Sequence, residues 1–247
     1  MGSTITRDHY DAVLLDLDGV ITDTANMHAA CWKQMFDEYL QKRAGERGER
    51  FCPFELATDY RLHVDGKPRF DGVRDFLTAR GIQLPEGSPD DPPQAETVCG
   101  LGNRKNELVN KVIEEVGVEP YEGTVKLIHQ LRDQGFKIAV VTSSQNCEAV
   151  LKAAKLNAFF EVRVDGNTIH AQQLAGKPAP DTFLTAAQQL GVDPKRAVVV
   201  EDAISGVEAG RNGNFGLVIG VARKGNAEEL QQHGAHLVVN DLGELVE

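Results

Sequence analysis

The second half of the chain alternates apolar strand-like runs with amphipathic helix-like segments, and this alternation limits the fold more than any other feature. The predicted strands after residue 121 are 137–141, 159–164, 197–200, 216–221 and 237–239. The predicted helices among them are 124–134, 146–154, 181–190 and 204–211. With a further apolar run at 12–15, these alternating units predict an α/β fold, a doubly wound parallel sheet with right-handed crossovers.

Residues 25–116 interrupt this alternation with helix-like segments alone. Apolar side chains at helical spacing predict helices at 25–41, 71–80 and 104–115. The charged stretch 42–49 and the acidic, proline-rich stretch 84–93 are expected to be loops. We therefore expect two domains: a Rossmann-like core of residues 1–24 and 117–247, and a helical cap domain of residues 25–116 inserted after the first strand.

Composition excludes several classes of protein. The net charge of −11 over 247 residues argues against nucleic acid as a partner, because proteins that bind it carry basic surfaces. No run approaches the ~20 apolar residues of a membrane span, so no membrane partner is expected. The four cysteines lack CxxC spacing and are expected to be reduced, and the N-terminus lacks a secretory leader, so we expect a cytoplasmic protein.

Two carboxylates, Asp16 and Asp18, follow the apolar run 12–15. In an extended chain the side chains of residues i and i+2 point to the same side, and two like charges held close together are costly without compensation. Mg²⁺ prefers carboxylates with water and substrate phosphate as ligands, so this pair is a candidate metal site. The alternative interpretation is a strand end followed by an ordinary Asp-Gly turn.

Three more chemically active groups follow predicted strands or precede a predicted helix. They are Thr142 after strand 137–141, Lys177 before helix 181–190, and Glu201-Asp202 after strand 197–200. Ligands of open α/β sheets bind beyond the carboxyl ends of the strands, so these groups are expected to share one site. Each has a structural alternative, namely a helix cap, a solvated loop lysine and acids at a helix N-terminus. Their combination favours the shared site.

The pattern Asp-x-Asp-Gly-Val, then Thr, then Lys-Pro, then Glu-Asp resembles the haloacid dehalogenase superfamily of phosphoryl-transfer enzymes over essentially the whole chain. The resemblance implies that Asp16 is the nucleophile that becomes an aspartyl-phosphate and that Asp18 is the general acid/base. It also implies that Thr142 and the Ser143 amide hold phosphate oxygens, while Lys177 neutralises the phosphate and the nucleophile.

The same resemblance implies a Mg²⁺ cofactor. Its expected ligands are Asp16, the carbonyl of Asp18 and Asp202, and Glu201 is expected to support the metal site. This arrangement is chemically reasonable because phosphoryl transfer requires positioning and charge neutralisation more than covalent help.

Within the superfamily, the chain is most similar to the β-phosphoglucomutase-like subfamily. The shared elements are residues 16–24, a Gly-x-x-Arg element at 66–69, and residues 104–106. The substrate-binding residues that this similarity implies are Thr24, His28, Trp32, Gly66, Arg69, Lys105, Ser143 and Asn146. By this similarity Arg69 and Lys105 reach the distal phosphate or the sugar, and His28 couples cap closure to Asp18. The alternatives are a packing role for His28 and ordinary surface charges at Arg69 and Lys105.

The chain also departs from the mutase pattern. The cap carries extra material around 42–65 and 83–100, and Ala203 follows the acid pair where the mutase has serine. Neither departure touches the phosphate chemistry, but both bear on the identity of the substrate.

The resemblance implies a small phosphorylated sugar as substrate and a monomer or weak oligomer. The expected reaction is the interconversion of β-glucose 1-phosphate and glucose 6-phosphate, with glucose 1,6-bisphosphate as activator or intermediate. The alternative is a phosphatase in which water attacks the aspartyl-phosphate of a small sugar or polyol phosphate. A binding module without catalysis is disfavoured because Asp16 and Lys177 are both present, and dehalogenation does not need Asp18 or the metal pair.

Overall fold

A parallel six-stranded sheet forms the centre of one unit of the computed structural model, which describes residues 4–223 and 225–247. The strand order is β3-β2-β1-β4-β5-β6. The strands are β1 Ala12–Leu15, β2 Lys137–Val141, β3 Val162–Val164, β4 Ala197–Glu201, β5 Leu217–Val221 and β6 Leu237–Val239. All the strand pairs are parallel. The predicted doubly wound α/β fold class is confirmed.

The α-helices alternate with the strands only outside residues 25–117. Within the described residues they are α1 Ala25–Arg47, α2 Arg69–Ala79, α3 Val98–Val116, α4 Glu122–Asp133, α5 Cys147–Ala153, α6 Gly166–Gln172, α7 Asp181–Leu190, α8 Ile204–Asn212 and α9 Ala227–Gln232. Short 3₁₀ turns occur at Asn157–Phe159, Pro194–Arg196 and Leu242–Leu245. None of these described helices combines the length and the apolar character that crossing a membrane requires.

The chain separates into two compact units. The first comprises the chain up to Thr24 together with Val118–Glu247, and the second is Ala25–Gly117. The core of the first unit lies between the sheet and its helices, with β1 and β4 fully buried because they are the central strands. Strands buried on both faces are continuous apolar runs, which is why Ala12–Leu15 and Ala197–Val200 were recognisable in the sequence.

The second unit consists of α1, α2, α3 and a π-helical segment, Leu56–Val64, in which Asp65 N–H donates to the Tyr60 carbonyl five residues before it. Aromatic rings fill its interior, with the Phe36 and Phe76 centroids 4.2 Å apart. Such rings bury large apolar areas, so this unit has a core of its own.

Several predicted boundaries were wrong. Helix α1 continues to Arg47 instead of ending at 41, because Ala44 still faces the core and the charged side chains lie on its solvated face. Helix α3 begins at Val98, six residues before the predicted start. The strand predicted at 159–164 is restricted to Val162–Val164, and α6, α9 and the π-helical segment were not predicted.

The cysteines agree with the sequence-based expectation. All four are free, and Cys31 is buried against its neighbours in the second unit. Burial raises the pKa of the Cys31 thiol, which suits a packing role better than a reactive one.

Candidate active site

The carboxyl ends of β1, β2 and β4 bring the predicted core residues of the first unit together. Leu15 lies opposite Val140 in β2 and Val200 in β4, so the residues that follow these strands are neighbours. The Asp16 N–H continues the ladder by donating to the Val200 carbonyl at 3.0 Å. The site therefore occupies the edge of the sheet where open α/β folds bind ligands.

Lys177 lies at the centre of this group, in the loop that precedes α7. Its fully buried ammonium group donates to Asp16 Oδ1 at 2.6 Å and to Glu201 Oε1 at 2.5 Å. A third bond, 3.1 Å long, goes to the carbonyl of Val141 at the end of β2. Each of the three ammonium protons thus has a hydrogen-bond acceptor, and the alternative that Lys177 is a solvated loop lysine is excluded.

Both carboxylate oxygens of Glu201 accept hydrogen bonds. Oε1 accepts from Lys177, and Oε2 accepts from the backbone N–H groups of Asp202 and Ala203 at 3.0 and 3.1 Å. The bond from Ala203 uses the backbone, so alanine in place of serine leaves it intact. Gly206 in α8 makes room for this carboxylate, since a Cβ there would lie 1.8 Å from Glu201 Oε1.

Burial and the neighbouring negative charges both raise the pKa values of Asp16 and Glu201. Burial raises the pKa of Asp16 well above its ordinary value; Lys177 opposes this, and the charges of Glu201, Asp18 and Asp202 add to it. The pKa of Glu201 is also raised, first by burial, against the opposing charge of Lys177. One lysine therefore balances only part of the negative charge gathered here.

Asp18 lies in the turn after β1 and is half-buried. Its carboxylate accepts a short hydrogen bond from the hydroxyl of Thr24, and Thr24 Oγ1 lies 2.8 Å from Thr22 Oγ1. Gly19 follows with a φ of +88°, and a Cβ there would lie 2.2 Å from Asp202 Oδ2. Glycine is therefore needed here both for the left-handed turn and for the close approach of Asp202.

Thr142, Ser143 and Asn146 line the turn between β2 and α5. Thr142 is buried, and its Oγ1 accepts the backbone N–H of Ser144 at 3.1 Å. Asn146 is the residue immediately before α5, and its own N–H donates to Ser144 Oγ at 3.2 Å. Ser144 thus contributes to the turn through its hydroxyl and its N–H, while Thr142 lies directly after the end of β2.

Sequence reasoning missed Arg223, which follows β5. Arg223 Nε donates to the Gly19 carbonyl at 3.1 Å, and its guanidinium carbon lies 3.5 Å from the Tyr121 ring centroid. Arg223 also pairs with Asp241, at 2.5 Å. Its position just beyond a strand's carboxyl end was the available signal, because the other site residues occupy equivalent positions.

In the second unit, the structure brings His28, Trp32 and Lys105 together. His28 and Trp32 are four residues apart on α1, and both are buried. Lys105 Nζ lies 2.7 Å from His28 Nδ1 and 4.9 Å from the Trp32 ring centroid. The surface-charge alternative for Lys105 is excluded, because this lysine is 6% exposed.

Arg69, the first residue of α2, has a different environment. Its Nη2 donates to Asn103 Oδ1 at 2.8 Å, and its guanidinium lies over the Phe70 ring. Gly66 forms the left-handed turn that precedes α2, with a φ of +73°. Burial lowers the pKa of Arg69, and within residues 4–223 and 225–247 its Nε and Nη1 are buried without a hydrogen-bond partner.

Comparison with known proteins identifies the family. The sequence profile of the haloacid dehalogenase-like hydrolases matches residues 10–214, which include all the strands except β5 and β6. The chain belongs to the haloacid dehalogenase-like hydrolase family. The prediction that it is an enzyme of this family is confirmed.

Relatives of this haloacid dehalogenase-like chain include β-phosphoglucomutases. It is 52% identical to the β-phosphoglucomutase of Mycobacterium bovis over 238 residues, which cover 95% of this chain and 91% of that one. It is 30% identical to the Bacillus subtilis β-phosphoglucomutase over the same shares of the two chains. The crystal structure of β-phosphoglucomutase from Clostridium difficile has the same fold, with a TM-score of 0.75, 24% identity, and coverage of 96% of this chain and 93% of that one.

The acids of this haloacid dehalogenase-like site fit a divalent cation. Oxygens of Asp16, Glu201 and Asp202 lie within 4.8 Å of one another, and all three residues are buried. Hard cations such as Mg²⁺ take carboxylate oxygens, and the negative charge that Lys177 leaves unbalanced gives such an ion a favourable environment. Both oxygens of Glu201 already accept hydrogen bonds, so Asp16 and Asp202 have the more suitable donor atoms.

Proposed function

We propose that the protein is a Mg²⁺-dependent phosphomutase that converts β-glucose 1-phosphate to glucose 6-phosphate through an aspartyl-phosphate. The observation that carries this proposal is the 52% identity to a β-phosphoglucomutase over nearly the full length of both chains. The buried group Asp16, Lys177, Glu201 and Asp202 supports the phosphoryl-transfer chemistry independently of that identity.

In the first step we assign Asp16 as the nucleophile. Its carboxylate attacks the phosphorus of one phosphate of glucose 1,6-bisphosphate, the bond from phosphorus to the sugar oxygen breaks, and Asp18 gives a proton to the departing oxygen. Lys177 holds Asp16 Oδ1 in one orientation and places a positive charge beside the transferring group. Thr142 and the Ser143 amide would bind the phosphate oxygens.

In the second step the 6-hydroxyl of β-glucose 1-phosphate attacks the phosphorus of the aspartyl-phosphate, and Asp18 takes the proton of that hydroxyl. The Asp16–phosphate bond breaks and glucose 1,6-bisphosphate forms. When the other end of this bisphosphate reaches Asp16, the first step repeats at the 1-phosphate, which releases glucose 6-phosphate and restores the aspartyl-phosphate. Exchange of the two ends of glucose 1,6-bisphosphate requires a second phosphate site, for which the half-buried Arg69 is suited, because its Nε and Nη1 atoms are buried without a hydrogen-bond partner among the described residues.

We assign Mg²⁺ to Asp16 and Asp202, with the carbonyl of Asp18 as a further ligand and Glu201 in support. When bound, this ion would neutralise negative charge on the phosphoryl oxygens. Glu201 supports the site indirectly, because its carboxylate accepts hydrogen bonds from Lys177 and from the backbone N–H groups of the turn that carries Asp202. His28, Trp32 and Lys105 would contact the sugar or its distal phosphate, and Thr24 would hold Asp18.

The remaining assignments rest on the same proposal. The second unit, Ala25–Gly117, is proposed to act as the cap that selects the substrate. A small phosphorylated sugar is the proposed partner, a cytoplasmic location remains a prediction, and so does a monomeric or weakly oligomeric state.

The test supplies β-glucose 1-phosphate and Mg²⁺ with and without glucose 1,6-bisphosphate, and measures glucose 6-phosphate and free phosphate separately. We expect isomerisation that glucose 1,6-bisphosphate accelerates, with little release of phosphate. Rapid release of phosphate without glucose 6-phosphate would contradict the mutase and identify a phosphatase that uses the same Asp16 chemistry.

A further inference from the structure

Asn103, in the second turn of α3, is hydrogen-bonded at both ends of its carboxamide. Its Oδ1 accepts from Arg69 Nη2 at 2.8 Å, and its Nδ2 donates to the carbonyls of Pro89 and Asp91 at 2.9 and 2.7 Å. A guanidinium can only donate and a carbonyl can only accept, so these partners fix the orientation of the amide. One neutral side chain therefore connects Arg69 to the segment 84–97.

The segment 84–97 is itself held against the rest of the second unit. Arg104 Nε donates to the Pro93 carbonyl at 2.8 Å, and Thr97 Oγ1 donates to Asp91 Oδ2 at 2.6 Å. The backbone N–H of Val98 closes the base of the segment on the Pro85 carbonyl at 3.0 Å. The two carbonyls that hold Asn103 thus belong to a fixed loop, although that loop contains no helix or strand.

Arg69 needs an anionic partner that the described part of the chain does not supply. Among the described residues, Arg69 donates through Nη2 to the neutral side chain of Asn103, and its Nε and Nη1 atoms are buried without a partner. A buried cation without a counter-charge is costly, so an anion that reaches these atoms gains the full interaction. An aspartate at position 103 would neutralise Arg69, whereas asparagine orients it and leaves its charge available.

We infer that Asn103 is a positioning residue for the distal-phosphate site, holding Arg69 for bidentate binding of phosphate and using segment 84–97 as its support. This inference rests on the proposed function, because it assigns Arg69 to the second phosphate. It gives the extra cap material around 83–100 a role: the insertion supplies the carbonyl groups that fix the arginine's partner.

The test measures binding by calorimetry in the non-reacting Asp16→Asn background, with glucose 1,6-bisphosphate and inorganic phosphate as the two probes. Asn103→Ala should weaken binding of glucose 1,6-bisphosphate about tenfold, the effect of losing one hydrogen bond to a charged group. Binding of inorganic phosphate should change less than about twofold, because the core site binds it. Asn110→Ala is the matched control, an exposed asparagine on the same helix.

A double-mutant cycle separates positioning from general support. If Asn103 acts through Arg69, adding Asn103→Ala to Arg69→Ala should weaken glucose 1,6-bisphosphate binding by less than about twofold further. Asn103→Asp provides a second variant of nearly equal volume, and its added charge should weaken binding at least about tenfold by competing for Arg69. Thermal unfolding of each variant verifies that the second unit is folded.

The outcomes distinguish this inference from the proposed function. Wild-type affinity in Asn103→Ala and Asn103→Asp, or full additivity with Arg69→Ala, would overturn the positioning role even if the enzyme isomerises the sugar. A different result would contradict the mutase proposal but support the role of Asn103. In that case the enzyme would only release phosphate, yet the double-mutant cycle of Asn103 and Arg69 would give the expected affinities for glucose 1,6-bisphosphate.

Discussion

At the scale of single residues, Lys177 determines how the acids of the core site are arranged. Burial alone would lower the pKa of its ammonium group, but the charges of Asp16 and Glu201 raise that pKa above its ordinary value of 10.5. The lysine is therefore a permanent cation at every pH at which the protein would be assayed. Because one ammonium donates to both carboxylates, Asp16, the proposed nucleophile, is held in one orientation by the protein itself.

We expect Asp16→Asn to abolish turnover of every phosphate ester, because an amide is a poor nucleophile at phosphorus. The loss should exceed about a thousandfold in kcat/KM. Asp8→Asn, an exposed aspartate in the same unit, is the control and should retain wild-type activity. Appreciable turnover in Asp16→Asn, measured by release of phosphate and formation of glucose 6-phosphate, would reject the covalent mechanism.

Substitutions at the adjacent residues Glu201 and Asp202 should have different effects on the Tm shift that Mg²⁺ produces. Saturating MgCl₂ should raise the wild-type Tm by roughly 5 °C and EDTA should reverse the shift, because the ion binds the folded state alone. Asp202→Asn should remove this shift. Glu201→Gln should lower the Tm without Mg²⁺ by disturbing Lys177, yet retain most of the shift.

Thermal scans of the three proteins with and without Mg²⁺ decide this point. Two results would contradict the assignment of Asp202 as a Mg²⁺ ligand and Glu201 as its support. One is a normal Tm shift with Mg²⁺ in Asp202→Asn, and the other is complete loss of that shift in Glu201→Gln.

Sequence reasoning located the polar residues that lie directly after buried strands. Asp16, Thr142 and Asp202 are recognisable because the strands before them are largely apolar runs, and parallel pairing makes the ends of those strands neighbours. Asn103 could not be recognised, because its importance comes from Arg69, 34 positions away, and from two carbonyls of an irregular loop. No local pattern encodes such a contact.

At the scale of elements, the start of α3 shows why helix boundaries were predicted less well than helix identity. Gly100 and Gly102 lower the intrinsic helix propensity, so the sequence indicates a start after them. The helix nevertheless begins at Val98, with Thr97 Oγ1 accepting the Gly100 N–H at 2.9 Å. Close packing explains the glycines: a Cβ at Gly100 would lie 2.3 Å from the Ala95 carbonyl oxygen, and one at Gly102 would lie 2.7 Å from Phe70.

Two glycine-to-alanine substitutions should therefore have opposite effects. Gly100→Ala should destabilise the protein by about 1–3 kcal/mol, because a backbone carbonyl must move to admit the methyl group. Gly45→Ala, on the exposed side of α1 with nothing within 4 Å of its Cβ position, should stabilise it by about 0.5–1 kcal/mol. Urea unfolding followed by far-UV circular dichroism measures both, and a stabilised Gly100→Ala protein would refute the packing argument.

At the scale of the whole molecule, chain segments on both sides of residues 25–117 form one unit. Pairing of β1 with β2 and β4 joins the N-terminal strand to the later chain. Around the turn after β1, Arg223 contacts the Gly19 carbonyl, stacks on Tyr121 and pairs with Asp241. Tyr121 in turn donates its hydroxyl to Asp23 Oδ1 at 2.8 Å. These contacts fix the turn that carries Asp18 to the ends of the later strands.

Asp241 makes this arrangement sensitive to acid. Partial burial raises the pKa of its carboxyl, but hydrogen bonds from Arg223 and the Gly243 N–H outweigh that effect and leave the pKa below its ordinary value of 3.8. Around that pH the unfolded chain therefore binds more protons at this residue than the folded protein does. The stabilisation from Asp241 is complete well above pH 3.8 and is lost as the pH falls through the lower pKa of the folded state.

We accordingly expect Asp241→Asn to be less stable than the wild type by about 1 kcal/mol near neutral pH, a modest value because the side chain is 42% exposed and its ion pair is screened by solvent. The difference should shrink as the pH falls from about 5 to about 3, because the wild-type carboxylate becomes protonated in that range while the amide does not titrate. Urea unfolding across this range measures the free-energy difference at each pH. Asp133→Asn, an exposed aspartate at the end of α4, is the control and should follow the wild-type curve. A constant gap between Asp241→Asn and the wild type over the whole range would mean that Asp241 stabilises the unit through its shape and backbone bonds, and that its charge on Arg223 contributes nothing.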